Sequence, residues 1–364
     1  MTNDTPLILR IETRPVLVPL RRPVHTASFA IPKVPLILID VHTDAEIIGR
    51  AYVLAFTEWA FKPILACFNA AADMIVGQPI LPAKVGAILR NHMLLFGTTG
   101  ITGIVSGGID MALWDAQARF HNVPLVTLLG GEASPISAYN SCGLWVRPID
   151  SLADEASELI EEGCFSAIKM RLGRSAPEDD LAAVRAVRER IGAQYSLMAD
   201  FNQSLRTGEA ITRGRMLDSE DLAWIEDPIA HDNYEGHARI RLAIETPIQT
   251  GENLNDARKL QRAIELNALD LVMPDVVLMG GVSGWMQAAT IADVHDIPMS
   301  SHLYPEFSRH LLAVTPSAHW LEFVDWASPI LQDPVKVIDG HVIAPNSPGA
   351  GLNWNEEAIS HFLV

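Results

Sequence analysis

Ionisable residues recur at a nearly constant interval through the second half of this chain, each directly after a short apolar run. Asp200 follows a run ending at Ala199, Glu226 follows Trp224-Ile225, and Glu252 follows Gln249-Thr250-Gly251. Asp275 then follows Val272-Met273-Pro274, and His302 follows Ser300-Ser301. The steps are 26, 26, 23 and 27 residues, about the length of one strand-plus-helix unit. Eight apolar runs read as strands: Ile136–Asn140, Ser166–Met170, Tyr195–Ala199, Leu222–Ile225, Pro247–Thr250, Leu269–Met273, Ile297–Ser300 and Trp320–Val324. Helical patterns lie between them. Ser151–Glu162 opens on a capping serine and early acids, and Ala176–Ile191 has proline near its start and arginines near its end. Strands alternating with helices imply parallel pairing, and eight of them imply a closed α/β barrel. An open doubly wound sheet is the alternative, but no G-x-G-x-x-G opens the first unit.

The first third reads differently. Leu7–Leu20 and Val34–Val41 read as strands, His25–Pro32 as a loop of small residues, and Trp59–Val76 and Lys84–Leu95 as helices. That order predicts a separate α+β domain. Gly97–Gly108 is rich in Gly and Thr but lacks the Lys-Ser/Thr of a phosphate loop, so it reads as a hinge into a helix over Ile109–Phe120.

Composition narrows the partners. Lys and Arg total 27 against 44 Asp and Glu, a net charge of −17 among 364 residues. Such a field repels nucleic acid and anionic membranes, so neither is expected, and an anionic substrate needs a local positive site. No charge-free apolar run reaches membrane-spanning length. Cys67, Cys142 and Cys164 have neither zinc-site nor disulfide spacing. With no evident signal peptide, a cytoplasmic setting is expected.

In a parallel barrel the C-terminal strand ends converge on one rim, where active sites form. Any one acid after a strand is equally a helix cap or turn residue. The same placement in six consecutive units is harder to explain that way. Three carboxylates brought together repel unless a cation neutralises them, and oxygen-only donors favour Mg²⁺, with Mn²⁺ the alternative. Asp200, Glu226 and Glu252 therefore read as metal ligands.

Several ordered motifs carry a resemblance. Lys169-Met170-Arg171, Asp200-Phe201-Asn202, Trp224-Ile225-Glu226-Asp227-Pro228, Gly251-Glu252-Asn253, Met273-Pro274-Asp275, Ser300-Ser301-His302-Leu303 and His319-Trp320-Leu321-Glu322 resemble the mandelate racemase subgroup of the enolase superfamily. The resemblance covers essentially the whole chain. It implies a modified TIM barrel, (β/α)₇β, over residues 129–328, an N-terminal α+β capping domain over 1–128, and a segment over 329–364 that returns to the capping domain. It also implies a homo-oligomer and a small carboxylate substrate whose α-proton is removed through a metal-stabilised enediolate. In that scheme His302 is the base and Asp275 orients it. A protonated Glu322 with a raised pKa bonds the oxyanion. Lys169 and Ser141 hold the carboxylate, and Asn202 holds the α-hydroxyl. Ser141 is equally an ordinary turn hydroxyl, and Asn202 a local cap.

Two positions depart from the subgroup's racemase. Arg171 stands where a second lysine serves as the opposing base, and a guanidinium is effectively always protonated. Leu278 replaces another lysine. Arg171 speaks for dehydration of an acid sugar with His302 as sole base. Against this, Val24, Ile31, Phe56, Leu303 and Val324 fall where the racemase builds an apolar wall. Such a wall leaves sugar hydroxyls unpaired and favours racemisation of a mandelate-like 2-hydroxy acid. A non-catalytic carboxylate-binding barrel is the third reading.

Overall fold

The computed structural model describes residues 5–364. The N-terminal part is an antiparallel sheet of β1 (Ile8–His25), β2 (Ala30–Thr43) and β3 (Ile48–Leu54) with helices α1 (Phe61–Ile75), α2 (Pro82–His92) and α3 (Ile101–Phe120). The sheet extends past the predicted strands. β1 and β2 remain paired to Val24↔Ile31 and His25↔Ala30, so the predicted loop over 25–32 shrinks to a tight connection. A third strand, β3, escaped the sequence reading. Gly49 and Arg50 interrupt its apolar run near the start, although Ala51 to Leu54 are all buried.

The stretch Gly97–Gly108 is not simply a hinge, because α3 already begins at Ile101. Gly107 and Gly108 lie inside this helix for reasons of packing. A Cβ on Gly107 would collide with the Val277 carbonyl, and one on Gly108 would meet the side chains of Ile39 and Val53. The glycines let the helix lie flat between the sheet and the barrel, which outweighs their poor helix propensity.

After the helical turn α4 (Leu125–Leu128), the chain enters the barrel. Its strands are β4 (Ile136–Asn140), β5 (Ala167–Arg171), β6 (Ser196–Asp200), β7 (Leu222–Glu226), β8 (Ile248–Thr250), β9 (Leu271–Val272) and β10 (Leu321–Phe323), each in parallel contact with its neighbour. Between β9 and β10 the predicted strand over 297–300 narrows to Met299, which bridges Val272 on one side and Ala318 on the other. β10 pairs β4 and closes the ring. The outer helices are α5 (Leu152–Glu161), α6 (Pro177–Ile191), α7 (Thr207–Leu217), α8 (Tyr234–Arg241), α9 (Ala257–Glu265), α10 (Gly281–Val294) and α11 (Pro305–Leu312). Ser151 does not cap α5; its hydroxyl turns back to the Pro148 carbonyl, 2.7 Å away.

Buried Tyr139, Ala167, Met198 and Trp224 form a cluster distinct from the main core, built from β4 to β7. Tyr139 and Trp224 meet edge to face with centroids 5.6 Å apart. These bulky rings support the charged residues next along the strands. Beyond residue 329, β11 (His341–Val342) adds antiparallel to the start of β4, and α12 (Glu356–Phe362) reaches the first sheet. Arg14 bonds Glu356 at 2.6 Å, and Leu363 bridges Val16. The return to the N-terminal sheet was expected, whereas the added strand was not.

The N-terminal unit is tied to the barrel by polar contacts as well. Asp110 of α3 accepts from the Ser283 backbone at 3.0 Å and from its hydroxyl at 2.6 Å, at the first turn of α10. Tyr52 of β3 donates to Glu306 of α11 at 2.6 Å, and the Leu54 amide donates to the Tyr304 hydroxyl at 2.9 Å. Among the described residues no helix is long and apolar enough to cross a membrane. The cysteines are free.

Gly107→Ala is expected to destabilise the protein by about 1–3 kcal/mol, because the added methyl meets backbone that cannot yield. Thermal unfolding checks this, and an unchanged melting temperature would refute the close-approach account.

Candidate active site at the barrel mouth

The parallel register fixes which ionisable groups become neighbours. Arg171 stands beside Asp200, and Asp200 beside Glu226, in adjacent strands. Lys169 lies two residues before Arg171 and therefore on the same face of β5. Its ammonium bonds Glu226, lies 2.8 Å from Glu322 Oε1 and 3.7 Å from Asp200 Oδ2, and sits 5.6 Å above the Tyr139 ring. Burial pulls the Lys169 pKa down, but Glu226, Glu322 and Asp200 together outweigh it and leave the ammonium firmly charged.

Arg171 is held from all sides. Its guanidinium donates to the Ser141 carbonyl at 3.1 Å, the Gly143 carbonyl at 3.3 Å and the Ser141 hydroxyl at 2.7 Å. It lies 4.2 Å above the Trp145 ring. Ser141 in turn donates to Glu322 Oε1 at 2.7 Å. The other Glu322 oxygen accepts from the Leu303 amide at 3.0 Å.

Glu322 is surrounded by cationic groups. Burial raises its pKa, but Lys169, His302 and Arg171 more than reverse that and hold the carboxyl well below the usual range.

His302 lies between two acids. Nδ1 is 2.9 Å from Asp275 Oδ2, and Nε2 is 3.2 Å from Glu252 Oε2. Asp275 is fixed by the Val277 and Leu278 amides at 2.8 and 3.0 Å. Burial lowers the imidazole pKa, but Glu252, Asp275 and Glu322 overcome it and push it up to about 10.

Asp200, Glu226 and Glu252 sit on successive strand ends and feel one another. Burial pushes Glu226 up to about 8, with Asp200, Glu322 and Glu252 adding to the rise and Lys169 opposing it. Glu252 is likewise raised by burial, against His302 and with Asp200. Among the described residues no three His, Cys, Asp or Glu groups stand close enough to hold an ion in this arrangement. Lys169 neutralises Glu226 and His302 engages Glu252, so the carboxylates face these cations. The donor set nevertheless fits a hard divalent ion. The carboxylates supply only oxygen, and two buried acceptors nearby, Asn202 Oδ1 and Asp227 Oδ2, have no hydrogen-bond partner.

Asn202 is used locally, donating from its backbone and side-chain amides to Asp200 at 2.7 and 2.9 Å. The proposed wall is split between three places. Phe56 and Leu278 line a cavity of about 570 Å³ with Trp59, His231 and Asn253. Val24 and Ile31 pair at the base of the β1–β2 turn, whose Ser28 hydroxyl reaches the Asn202 carbonyl at 3.2 Å. Leu303 and Val324 are buried beside His302 and after β10 in the chain.

Sequence reasoning gave no role to Asp227 or Asn253. Asp227 is buried and bonds Thr250; its place beside Glu226 in a quoted motif was the available signal. Trp145 under Arg171 and Asn253 on Glu252, at 3.0 Å, depend on loop paths that no spacing rule predicts.

Two family models account for nearly all of this architecture. The mandelate racemase / muconate lactonizing enzyme N-terminal domain matches residues 9–130, and the enolase C-terminal domain-like model matches 151–358. The chain belongs to the mandelate racemase / muconate lactonizing enzyme family. A solved enolase from the alpha-proteobacterium bal199 with bound magnesium is similar at 44% identity, with a TM-score of 0.97 over 99% of this chain and 100% of that one. A Bradyrhizobium enolase complexed with magnesium and mandelic acid is 39% identical, with a TM-score of 0.95 over 100% of both chains. L-talarate/galactarate dehydratase of Salmonella typhimurium is 33% identical over 81% of this chain and 74% of its own. Relatives in this family include a dehydratase, an epimerase and a racemase, and solved neighbours carry Mg²⁺, the cofactor of the superfamily.

Mg²⁺ is expected to raise the melting temperature, by the equivalent of about 2.7 kcal/mol at a hundredfold excess over its Kd. Glu226→Gln should lose most of that shift while keeping the wild-type far-UV circular dichroism. An equal Mg²⁺ response in the variant would remove Glu226 from the ligand set.

Proposed function

We propose that this family member removes the α-proton of a 2-hydroxycarboxylate with His302 as its single base, and completes the reaction by dehydration. Asp200, Glu226 and Glu252 are the residues that would hold Mg²⁺. Bound there, the ion would supply positive charge for the substrate carboxylate and would compete with His302 for Glu252. Lys169 lies where it can balance the charge that develops on that carboxylate as the proton leaves.

His302 Nε2 takes the α-proton, while Asp275 holds Nδ1 and stabilises the imidazolium. The imidazolium then returns the proton to the departing β-hydroxyl, which leaves as water. The C–H electron pair becomes the new double bond, and tautomerisation gives a 2-keto-3-deoxy acid.

The observation that carries this reading is the confinement of Arg171. Racemisation needs an acid/base on each face of the substrate. Arg171 occupies the position of the second base, yet it is cationic, stacked on Trp145 and bonded to Ser141 and Gly143. The similarity to L-talarate/galactarate dehydratase points the same way.

A second reading has its own support. The 570 Å³ cavity is lined by Phe56, Trp59 and Leu278, and a similar protein binds mandelic acid. An apolar lining of this kind favours an aryl 2-hydroxy acid, with racemisation as the reaction.

With Mg²⁺ and a panel of acid sugars in D₂O, the expected product is a 2-keto-3-deoxy acid carrying deuterium at C3. His302→Asn should lower kcat by a factor of roughly 10²–10⁴. Deuterium appearing at Cα of both mandelate enantiomers, with no keto acid from any sugar acid, would select racemisation instead.

A further inference from the structure

A second cavity, about 740 Å³, lies far from the mouth in the fold, where β11 pairs with the first residues of β4. The mouth gathers the C-terminal strand ends, so this cavity belongs to the opposite end of β4. Arg309 of α11 lines it and is only 6% exposed. Its Nε donates to the Glu306 carbonyl and its Nη2 to the Ala350 carbonyl, both at 3.3 Å. No carboxylate among the described residues lies within ion-pairing distance of this guanidinium. Glu306, three residues earlier, turns its carboxylate to Tyr52 instead.

A buried guanidinium answered only by two long carbonyl contacts is costly, and an anion would relieve it. Lys336 adds a second positive charge at the exposed edge. Asp333 and Asp339 also stand at that edge, where water screens them, whereas Arg309 lies deep. The walls are of another kind. Pro135, Ile338, Ile343 and Pro345 line the cavity, with Ile338 69% and Ile343 52% exposed. Large aliphatic side chains left so open beside a cavity provide a surface for hydrocarbon.

We propose that this cavity is a second ligand site, binding a small carboxylate that carries an apolar body. The carboxylate pairs with Arg309, and the hydrocarbon lies between Ile338, Ile343 and the two prolines. The site stands independently of the reaction proposed at the barrel mouth. Its lining takes Arg309 from α11, a helix that begins three residues after His302.

The probe is 4-fluorobenzoate, titrated into the Mg²⁺-loaded full chain and followed by ¹⁹F NMR. Any resonance arising at the mouth is identified by its loss in Glu226→Gln. A bound resonance that survives Glu226→Gln is expected from the cavity. It should weaken at least tenfold in Arg309→Met and in Ile343→Glu, the latter changing only an exposed rim residue. Inorganic phosphate should compete at least tenfold more weakly than the probe. The proposal is overturned if no bound resonance survives Glu226→Gln, if Ile343→Glu leaves that resonance unchanged, or if phosphate displaces the probe with equal affinity.

Discussion

Negative charge crowded at one end of a barrel is the condition that the rest of this molecule answers. Asp200, Glu226, Glu252, Asp275 and Glu322 share a small volume with Lys169, Arg171 and His302. Water cannot screen groups this deeply placed, so each must find compensation among its neighbours. Parallel register sets Arg171 beside Asp200 and Asp200 beside Glu226, which places cation and anion side by side without help from flexible loops. The bonds fanning from Lys169 and Ser141 to Glu322 then join strands that are distant in sequence. Fold and site are thus parts of one electrostatic arrangement.

Much of this arrangement was readable in the chain. The interval between Asp200, Glu226, Glu252 and Asp275 reflects the length of a βα unit, and a strand end is where such a unit exposes a side chain. The barrel order followed from that, whereas the pairing of His302 with Asp275 came with the family resemblance. What could not be read depends on contacts between distant segments. Gly107 and Gly108 look like punctuation until Val277 and Val53 are set against them. A strand-end acid such as Glu322 also does not reveal how many cations will face it, here Lys169 and Arg171. β3 was missed because its apolar portion is short. The strand before His302 is reduced to single bridges at Met299 and His302, although its backbone still bonds both neighbouring strands.

The N-terminal unit also bears on the segment that carries His302. Tyr52 and the Leu54 amide bond to Glu306 and Tyr304, in the segment that immediately follows His302 and Leu303. Both Leu303 and Tyr304 adopt left-handed backbone conformations, which are unfavourable for branched and aromatic residues. Tertiary bonds from the first sheet therefore help hold a strained turn, and that turn carries the amide that grips Glu322. The position of His302 thus depends on residues some 250 positions away in the chain.

The platform formed by Trp145 beneath Arg171 has a stereochemical consequence. A fixed cation cannot exchange roles with a base, so the two sides of a planar reacting centre meet unlike chemistry. On the proposed reading only the epimer whose α-hydrogen points toward the imidazole can react, and the one with the opposite configuration at that carbon cannot. Selectivity for handedness would then arise from one ring stacked under one guanidinium.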